Sequence, residues 1–433
     1  MLKLVDKDLW FDNEKLFIVR GQANKKIYEK NYDAYPECNQ KQSNKSSNNS
    51  FNPKLIYMSS LVCNLKCKYC YAEGGAYGKE HRERFFTYEN YVKTYKYFFE
   101  KYGGIHSINF FGGEPLLNFN VIKRFVEYIY QSYDKKCIHQ ISFGTNLTIM
   151  TPEIKEFIKK YNINIGTSLD GPKSLNDSVR IGNVDSVFDE VVKNLNYLSD
   201  VNVHKAMQIT ISKKHIENYH RGDIIKWINE IERLPINRYA IICVFSDNDN
   251  LKIDLDNLTI KNNYIQLCED YADYSFNILK ENNHHKPISV FATSTLLKII
   301  KREKEPECGA GESFSITPDL KIYPCHMFAD LPEFGVDFNN KLDFTIELNH
   351  YFIQTRNANR DAINRCNNCI SKNLCSHWCK GCSYKSTQTF NSVVNDRCIL
   401  EQTFTNKAIK FLVSDYKKYK DIIDKNIYYY QQC

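Results

Sequence analysis

The chain of 433 residues lacks any apolar run near the roughly 18 residues that cross a bilayer. It also lacks the basic-then-apolar start of a secretory signal, since it opens Met1-Leu2-Lys3-Leu4-Val5-Asp6. Both absences argue against a membrane-bound or exported protein and lead us to expect a cytoplasmic one. A large charge excess is missing too. Lys and Arg total 58 against 51 acidic residues, a net +7 that is too mild over this length for a nucleic-acid binder. No internal repeat is visible. Disorder throughout is excluded by 42% hydrophobic residues, with 30 Tyr and 26 Phe. The length suits two or three domains.

Against this ordinary background stand 16 cysteines. Structural disulfides are rare in a reducing compartment, so clustered thiols there point to metal. Cys63, Cys67 and Cys70 form one group, Cys308 and Cys325 a second, and Cys366, Cys369, Cys375, Cys379, Cys382 and Cys398 a third. Cys38, Cys137, Cys243, Cys268 and Cys433 stand apart. Burial as inert thiols is the expectation for Cys137, Cys243 and Cys268.

Residues 1–54 read as an appendage, with one strand at 16–19 and a polar linker at 39–52. From 55 to 285 short apolar strands alternate with amphipathic helices. The strands fall at 55–59, 108–111, 140–144, 164–169, 206–212 and 239–245, and helices at 121–132, 152–160, 187–198 and 223–234. Such alternation predicts right-handed crossovers and a parallel sheet. Six units are too few for a closed eight-fold barrel, so a partial α/β barrel is expected, with function at the C-terminal strand ends. Residues 286–305 read as a linker, 306–400 as a cysteine-rich domain organised by metal, and 401–433 as a helical tail.

The first group has the spacing Cys-x3-Cys-x2-Cys just after a strand. Three thiolates on one loop can hold three irons of a cubane cluster and leave the fourth open. Zinc is the alternative, with His81 the nearby fourth donor, and buried thiols are another.

The segment Cys63-Asn64-Leu65-Lys66-Cys67-Lys68-Tyr69-Cys70 resembles the cluster loop of the radical S-adenosylmethionine (SAM) superfamily, Tyr69 included. Gly112-Gly113-Glu114-Pro115 is similar to that family's Gly-Gly-Glu-Pro motif, and Gly144-Thr145-Asn146 to its Thr-Asn-Gly turn, with Leu147 in place of glycine. The resemblance implies that Cys63, Cys67 and Cys70 hold a 4Fe–4S cluster whose open iron chelates SAM. It also implies cleavage to a 5′-deoxyadenosyl radical. Tyr69, Gly112, Gly113, Glu114, Asn146, Ser168 and Arg180 would form the SAM site, with Arg180 on the methionyl carboxylate. Asp170 either caps a turn or touches ligand, and Ile209 and Ile211 either line the adenine or serve the core.

The later cysteines resemble the SPASM extension of radical enzymes that modify peptides. That resemblance implies two auxiliary 4Fe–4S clusters, making three in all. Cys308, Cys325 and Cys379 match ligands of the first, and Cys366, Cys369, Cys375 and Cys398 of the second. Phe314 stands where some members have a fourth ligand of the first, and Cys382 is a possible substitute. Leu320 replaces the usual hairpin glycine. A zinc ribbon is the alternative for Cys366–Cys379.

Residues 71–78 are similar to maturases of Cys-rich peptides. The function so implied is thioether cross-linking of a Cys-rich precursor peptide, with an external electron donor of flavodoxin or ferredoxin type. The alternatives are an anaerobic sulfatase maturase and a non-catalytic iron–sulfur electron carrier. Residues 1–55 are too short for a complete winged-helix element of the kind that grips leader peptides.

Overall fold

The structure is a computed structural model that describes residues 2–40, 53–78, 83–134, 138–281, 286–339, 342–376 and 378–432. His81, Cys137, Cys433 and most of the polar linker lie outside the described residues. An N-terminal antiparallel sheet is made of β1 (Leu2–Asp6), β2 (Leu9–Asp12) and β3 (Phe17–Arg20). The main chain then runs from β4 (Asn39–Gln40) into the central sheet. Its parallel strands are β5 (Lys54–Ser60), β6 (Ile105–Gly112), β7 (Ile138–Gly144), β8 (Asn164–Ser168), β9 (Lys205–Ile211) and β10 (Arg238–Cys243). These are the six strands that the apolar pattern predicts, each within three residues of its expected start.

Helices cross between the strands, and each has a local cause. Thr87 caps Tyr88–Tyr102 by accepting from the Asn90 amide, and Gly103 ends it in the left-handed region. Thr151 caps Pro152–Tyr161, with proline in the first turn and Asn162 left-handed at the end. Ser186 caps Val187–Tyr197 in the same way. The buried face of Tyr88–Tyr102 meets Phe119–Ser132 over the sheet, where Tyr91 stacks on Phe125 at 4.7 Å and Tyr57 meets both edge-on.

The sheet does not end with β10. β11 (Ile288–Ser289) pairs parallel beside it, followed by the helix Val290–Lys301 and β12 (Glu303–Lys304), which pairs with β4. The 286–305 stretch expected as a linker is therefore built into the body. Its apolar positions Ile288, Ala292, Leu296 and Ile299 are buried, and that burial holds it there.

At the opposite edge the cysteine-rich region joins the same sheet. β13 (Ser313–Ile316) pairs parallel with β5, and β14 (Lys321–Tyr323) and β15 (Val336–Asp337) continue antiparallel. The result is one ten-stranded sheet with order β11-β10-β9-β8-β7-β6-β5-β13-β14-β15. The tail is helical from Asn395–Phe411 to Lys417–Gln432. No helix among the described residues is long and apolar enough to cross a membrane.

Candidate active site

The C-terminal ends of β5 to β9 converge on the first cysteine loop. The loop leaves β5 at Ser60, whose hydroxyl donates to the Val62 carbonyl at 2.8 Å. Its far side is pinned by Lys66 N donating to Ile181 O at 2.6 Å and Lys68 N to Val179 O at 2.8 Å. Cys63, Cys67 and Cys70 line a cavity of about 660 Å³ with Val62, Glu73 and Gly74. Backbone amides already turn toward the sulfurs, Leu65 N to Cys63 and Gly74 N to Cys70, both at 3.4 Å. Burial raises the Cys63 thiol and pushes Cys67 up to about 11, so uptake of iron must release protons. Among the described residues no three His, Cys, Asp or Glu are gathered for a single ion.

The paired glycines act on the loop's backbone. A Cβ on Gly113 would lie 2.2 Å from the Val62 carbonyl, and one on Gly112 2.2 Å from that of Ser60. Gly113 N donates to Ser60 O at 2.7 Å and Glu114 N to Val62 O at 2.9 Å. The bare backbone lets the end of β6 lie against the cysteine loop. Glu114 is fully buried and accepts from Leu116 N at 3.0 Å, Thr145 Oγ1 at 2.7 Å and Asn146 N at 2.8 Å. It thereby ties the ends of β6 and β7. Burial pushes its carboxyl up to about 7, against those three donors.

Asn146 reaches back to the loop, donating to Cys63 Sγ at 3.6 Å and Asn64 Oδ1 at 2.8 Å. Leu147, which replaces the expected glycine, takes the left-handed backbone anyway with φ 56°. Its burial and the Asn194 side chain donating to its carbonyl at 2.9 Å hold it there. Leu320, in the turn between β13 and β14, also takes the left-handed backbone, with φ 59°.

Asp170 joins neither alternative expected of it alone. Its Oδ1 accepts from Thr210 N at 2.9 Å, and its Oδ2 accepts from the Tyr69 hydroxyl and lies 3.7 Å from Arg180 Nη1. Arg180 Nη1 donates to the Tyr69 oxygen at 3.0 Å. Arg180 Nε is buried without a hydrogen-bond partner among the described residues, and that leaves a donor for a carboxylate. Ser168 ends β8 half-buried, while Ile209 and Ile211 are wholly buried in the core.

In the second field Cys308 and Cys325 pack against the same buried cluster as Tyr323 and Phe328, and the charges of Cys308, Cys325 and Cys379 bear on one another. Cys379 caps the helix Lys380–Thr387, accepting from Cys382 N at 3.5 Å. The Cys382 thiol donates to it and Arg397 stands near, so Cys379 is held below the usual thiol range despite burial. Phe314 turns its ring into the core, 4.7 Å from Phe98. Cys366, Cys369, Cys375 and Cys398 line a second, narrow cavity of about 30 Å³, with Cys379 in its wall. Cys243 and Cys268 are buried, as inert thiols should be, the former 2.9 Å from the Tyr264 hydroxyl.

One pair was invisible in the motif spacing. The Tyr71 hydroxyl meets His326 Nδ1 at 2.8 Å, so the residue after Cys70 touches the residue after Cys325. Two polar residues, each directly following a cysteine, were the only available signal.

A parallel six-strand half-barrel with three thiols at the C-terminal end of its first strand defines the class: residues 57–228 match the Radical SAM superfamily, and the chain carries a radical SAM domain. The domain is that of radical SAM enzymes, and SAM and a 4Fe–4S cluster go with that class. Among curated relatives it is similar to the radical SAM cyclopropyl synthase TigE of Paramaledivibacter caminithermalis, 26% identical over 85% of this chain and 74% of TigE. It is also similar to the cysteine-type anaerobic sulfatase-maturating enzyme of Clostridium novyi, 24% identical over 83% of this chain and 95% of that one. Among solved structures, native anSMEcpe with bound AdoMet and Cp18Cys peptide shares the fold. Its TM-score is 0.66 at 18% identity, over 84% of this chain and 99% of that one.

Proposed function

We propose that this enzyme matures a ribosomally made, Cys-rich peptide by joining a cysteine sulfur to a carbon of another residue. The observation that carries the reading is the first auxiliary site. Cys308 and Cys325 pack on one buried cluster there, the helix that Cys379 caps lies against Met327, and the place of a fourth ligand is taken by Phe314, turned into the core. A thiolate of the substrate suits a position the protein leaves open.

In this reading Cys63, Cys67 and Cys70 hold the SAM-binding cluster. When bound, it and SAM supply one-electron cleavage of the sulfonium and a hydrogen-abstracting 5′-deoxyadenosyl radical. The chain's own residues orient and enclose. Gly112 and Gly113 seat the cysteine loop, and Glu114 fixes the backbone that carries Asn146. Arg180, with Tyr69 and Asp170 behind it, offers its free donor to the methionyl carboxylate, and Ser168, at the end of β8, is assigned to the same ligand. Cys308, Cys325 and Cys379 hold the first auxiliary cluster, and Cys366, Cys369, Cys375 and Cys398 the second. Reducing equivalents come from a flavodoxin or ferredoxin type donor.

The likeness to a fold seen elsewhere with AdoMet and a peptide together supports a peptide substrate. A second reading, formylglycine formation in a sulfatase, is favoured by the nearly full-length match to the sulfatase-maturating enzyme. Anaerobic co-expression with each short Cys-rich reading frame beside the gene separates the readings. A product lighter by two hydrogens per cross-link, with one alkylatable thiol gone, is expected. The same mass loss with every thiol still alkylatable would mean carbon–carbon closure and overturn the thioether assignment. An aldehyde trapped by hydrazide would favour the sulfatase reading.

A further inference from the structure

The N-terminal unit has a place in the molecule that its sequence does not announce. The turn between β2 and β3 carries Asp12, Asn13, Glu14 and Lys15, a composition expected in water. Instead Asp12 is 0% exposed, Asn13 1% and Lys15 3%. The turn is rigid: Asp12 Oδ1 accepts from both Glu14 N and Lys15 N at 2.8 Å. Lys15 Nζ donates to Tyr32 O at 2.9 Å and Tyr35 O at 2.7 Å. Arg302, just past the helix Val290–Lys301, lies 4.0 Å from the centre of the Phe17 ring and donates to Lys15 O at 3.1 Å.

What this rigid turn presses against is the Cys366–Cys375 loop. Asn13 Nδ2 donates to the carbonyl of Cys369 at 2.7 Å. In return Asn373 Nδ2 donates to Asn13 O at 2.9 Å, and Lys372 Nζ meets Glu14 Oε1 at 3.2 Å. Three further carbonyls of the loop are taken by other elements. Lys298 Nζ donates to Leu374 O at 2.9 Å, Glu305 N to Asn373 O at 2.8 Å, and Arg360 Nη1 to Cys375 O. Gln402 Nε2 approaches Cys369 Sγ at 3.5 Å. A short loop with four carbonyls so held has no freedom to change the spacing of its sulfurs.

We propose that residues 2–37 clamp the second auxiliary cysteine loop and that Asn13 is its positioning residue, holding Cys369 so that the site retains its cluster. This rests on the reading of Cys366, Cys369, Cys375 and Cys398 as ligands. The short N-terminal unit then serves metal retention rather than peptide recognition. Hydrogen-bond partners behind metal ligands are typically worth about 10- to 100-fold in metal affinity.

The test uses the full chain, reconstituted anaerobically, with iron release to bathophenanthroline followed in time. Cys375→Ala is the reference and should lack about four irons, one cluster. Asn13→Ala and the isosteric Asn13→Asp should release a fraction of that same size at least about tenfold faster than wild type. They should bind SAM as wild type does and keep the remaining iron. Lys26→Ala, in the same unit but exposed on the helix Gln22–Lys30, should release iron at the wild-type rate. Wild-type release from both Asn13 variants, with Cys375→Ala depleted, would overturn the clamp alone. Full iron in Cys375→Ala would overturn the ligand reading and the clamp with it. Should Asn13→Ala not fold, Asn13→Asp and Asn373→Ala probe the same contact from its two sides.

Discussion

Single side chains at this site act mostly on backbone. Gly113 is the clearest case, because a methyl group there meets the Val62 carbonyl at 2.2 Å and backbone cannot give way cheaply. Gly113→Ala should displace the cysteine loop and lower 5′-deoxyadenosine formation about a hundredfold, the cost of a misplacement near 1 Å. Asp170 is a second case. Buried at 0% exposure, it satisfies Thr210 N and Tyr69 and partners Arg180. Asp170→Ala leaves Arg180 buried without its carboxylate, and urea unfolding should register a loss of about 3–5 kcal/mol. The cluster cysteines were legible in the sequence because their spacing is local. Asp170's true partners were not, since Thr210 and Tyr69 reach it across 40 and 101 residues.

At the scale of elements, the parallel strands were legible because they carry short apolar runs, such as Leu55–Met58 in β5 and Ala240–Cys243 in β10. β1 was not, since its residues are half-exposed and exposed and carry no such run. The hairpin before Cys325 was expected, but the place of β13 in the central sheet was not legible: its pairing of Phe314 with Leu55 joins residues 259 apart in the chain, and no local pattern records that register. The left-handed Leu320 is also an element-scale feature, since it closes the hairpin of β13 and β14 through Leu320 N donating to Thr317 O at 2.9 Å. A non-glycine residue there costs about 1–2 kcal/mol. Leu320→Gly should therefore raise the urea midpoint despite the lost packing. At the start of β9, His204 is buried beside Arg238 and Lys205, and burial first, then those charges, lowers it to about 4. It stays neutral in the fold and takes a proton near pH 6.5 when unfolded. The unfolded state thus binds more protons as pH falls through that window, and stability drops by up to about 3 kcal/mol by pH 4. His204→Gln should lose less stability than wild type between pH 7 and pH 5 in parallel urea titrations.

For the whole molecule, the division into a catalytic core and a cysteine-rich extension is one of sequence, not of hydrogen bonding. β13 covers the edge of β5, and the helix Asn395–Phe411 packs on Leu258–Ile278 with Phe404 4.9 Å from Tyr271. A chain cut after residue 305 would bare that edge and that apolar face. It should aggregate on expression rather than yield a stable core, as size-exclusion chromatography would report.

The pairing of β13 with β5 also acts as a ruler. Cys63 follows one of these strands and Cys308 precedes the other, so the span between the two thiol groups is graduated in whole residues of about 3.3 Å. A slip by one residue would turn Phe314 out of the core. Reach between the two sites cannot drift by small degrees; it can change only in steps of two residues.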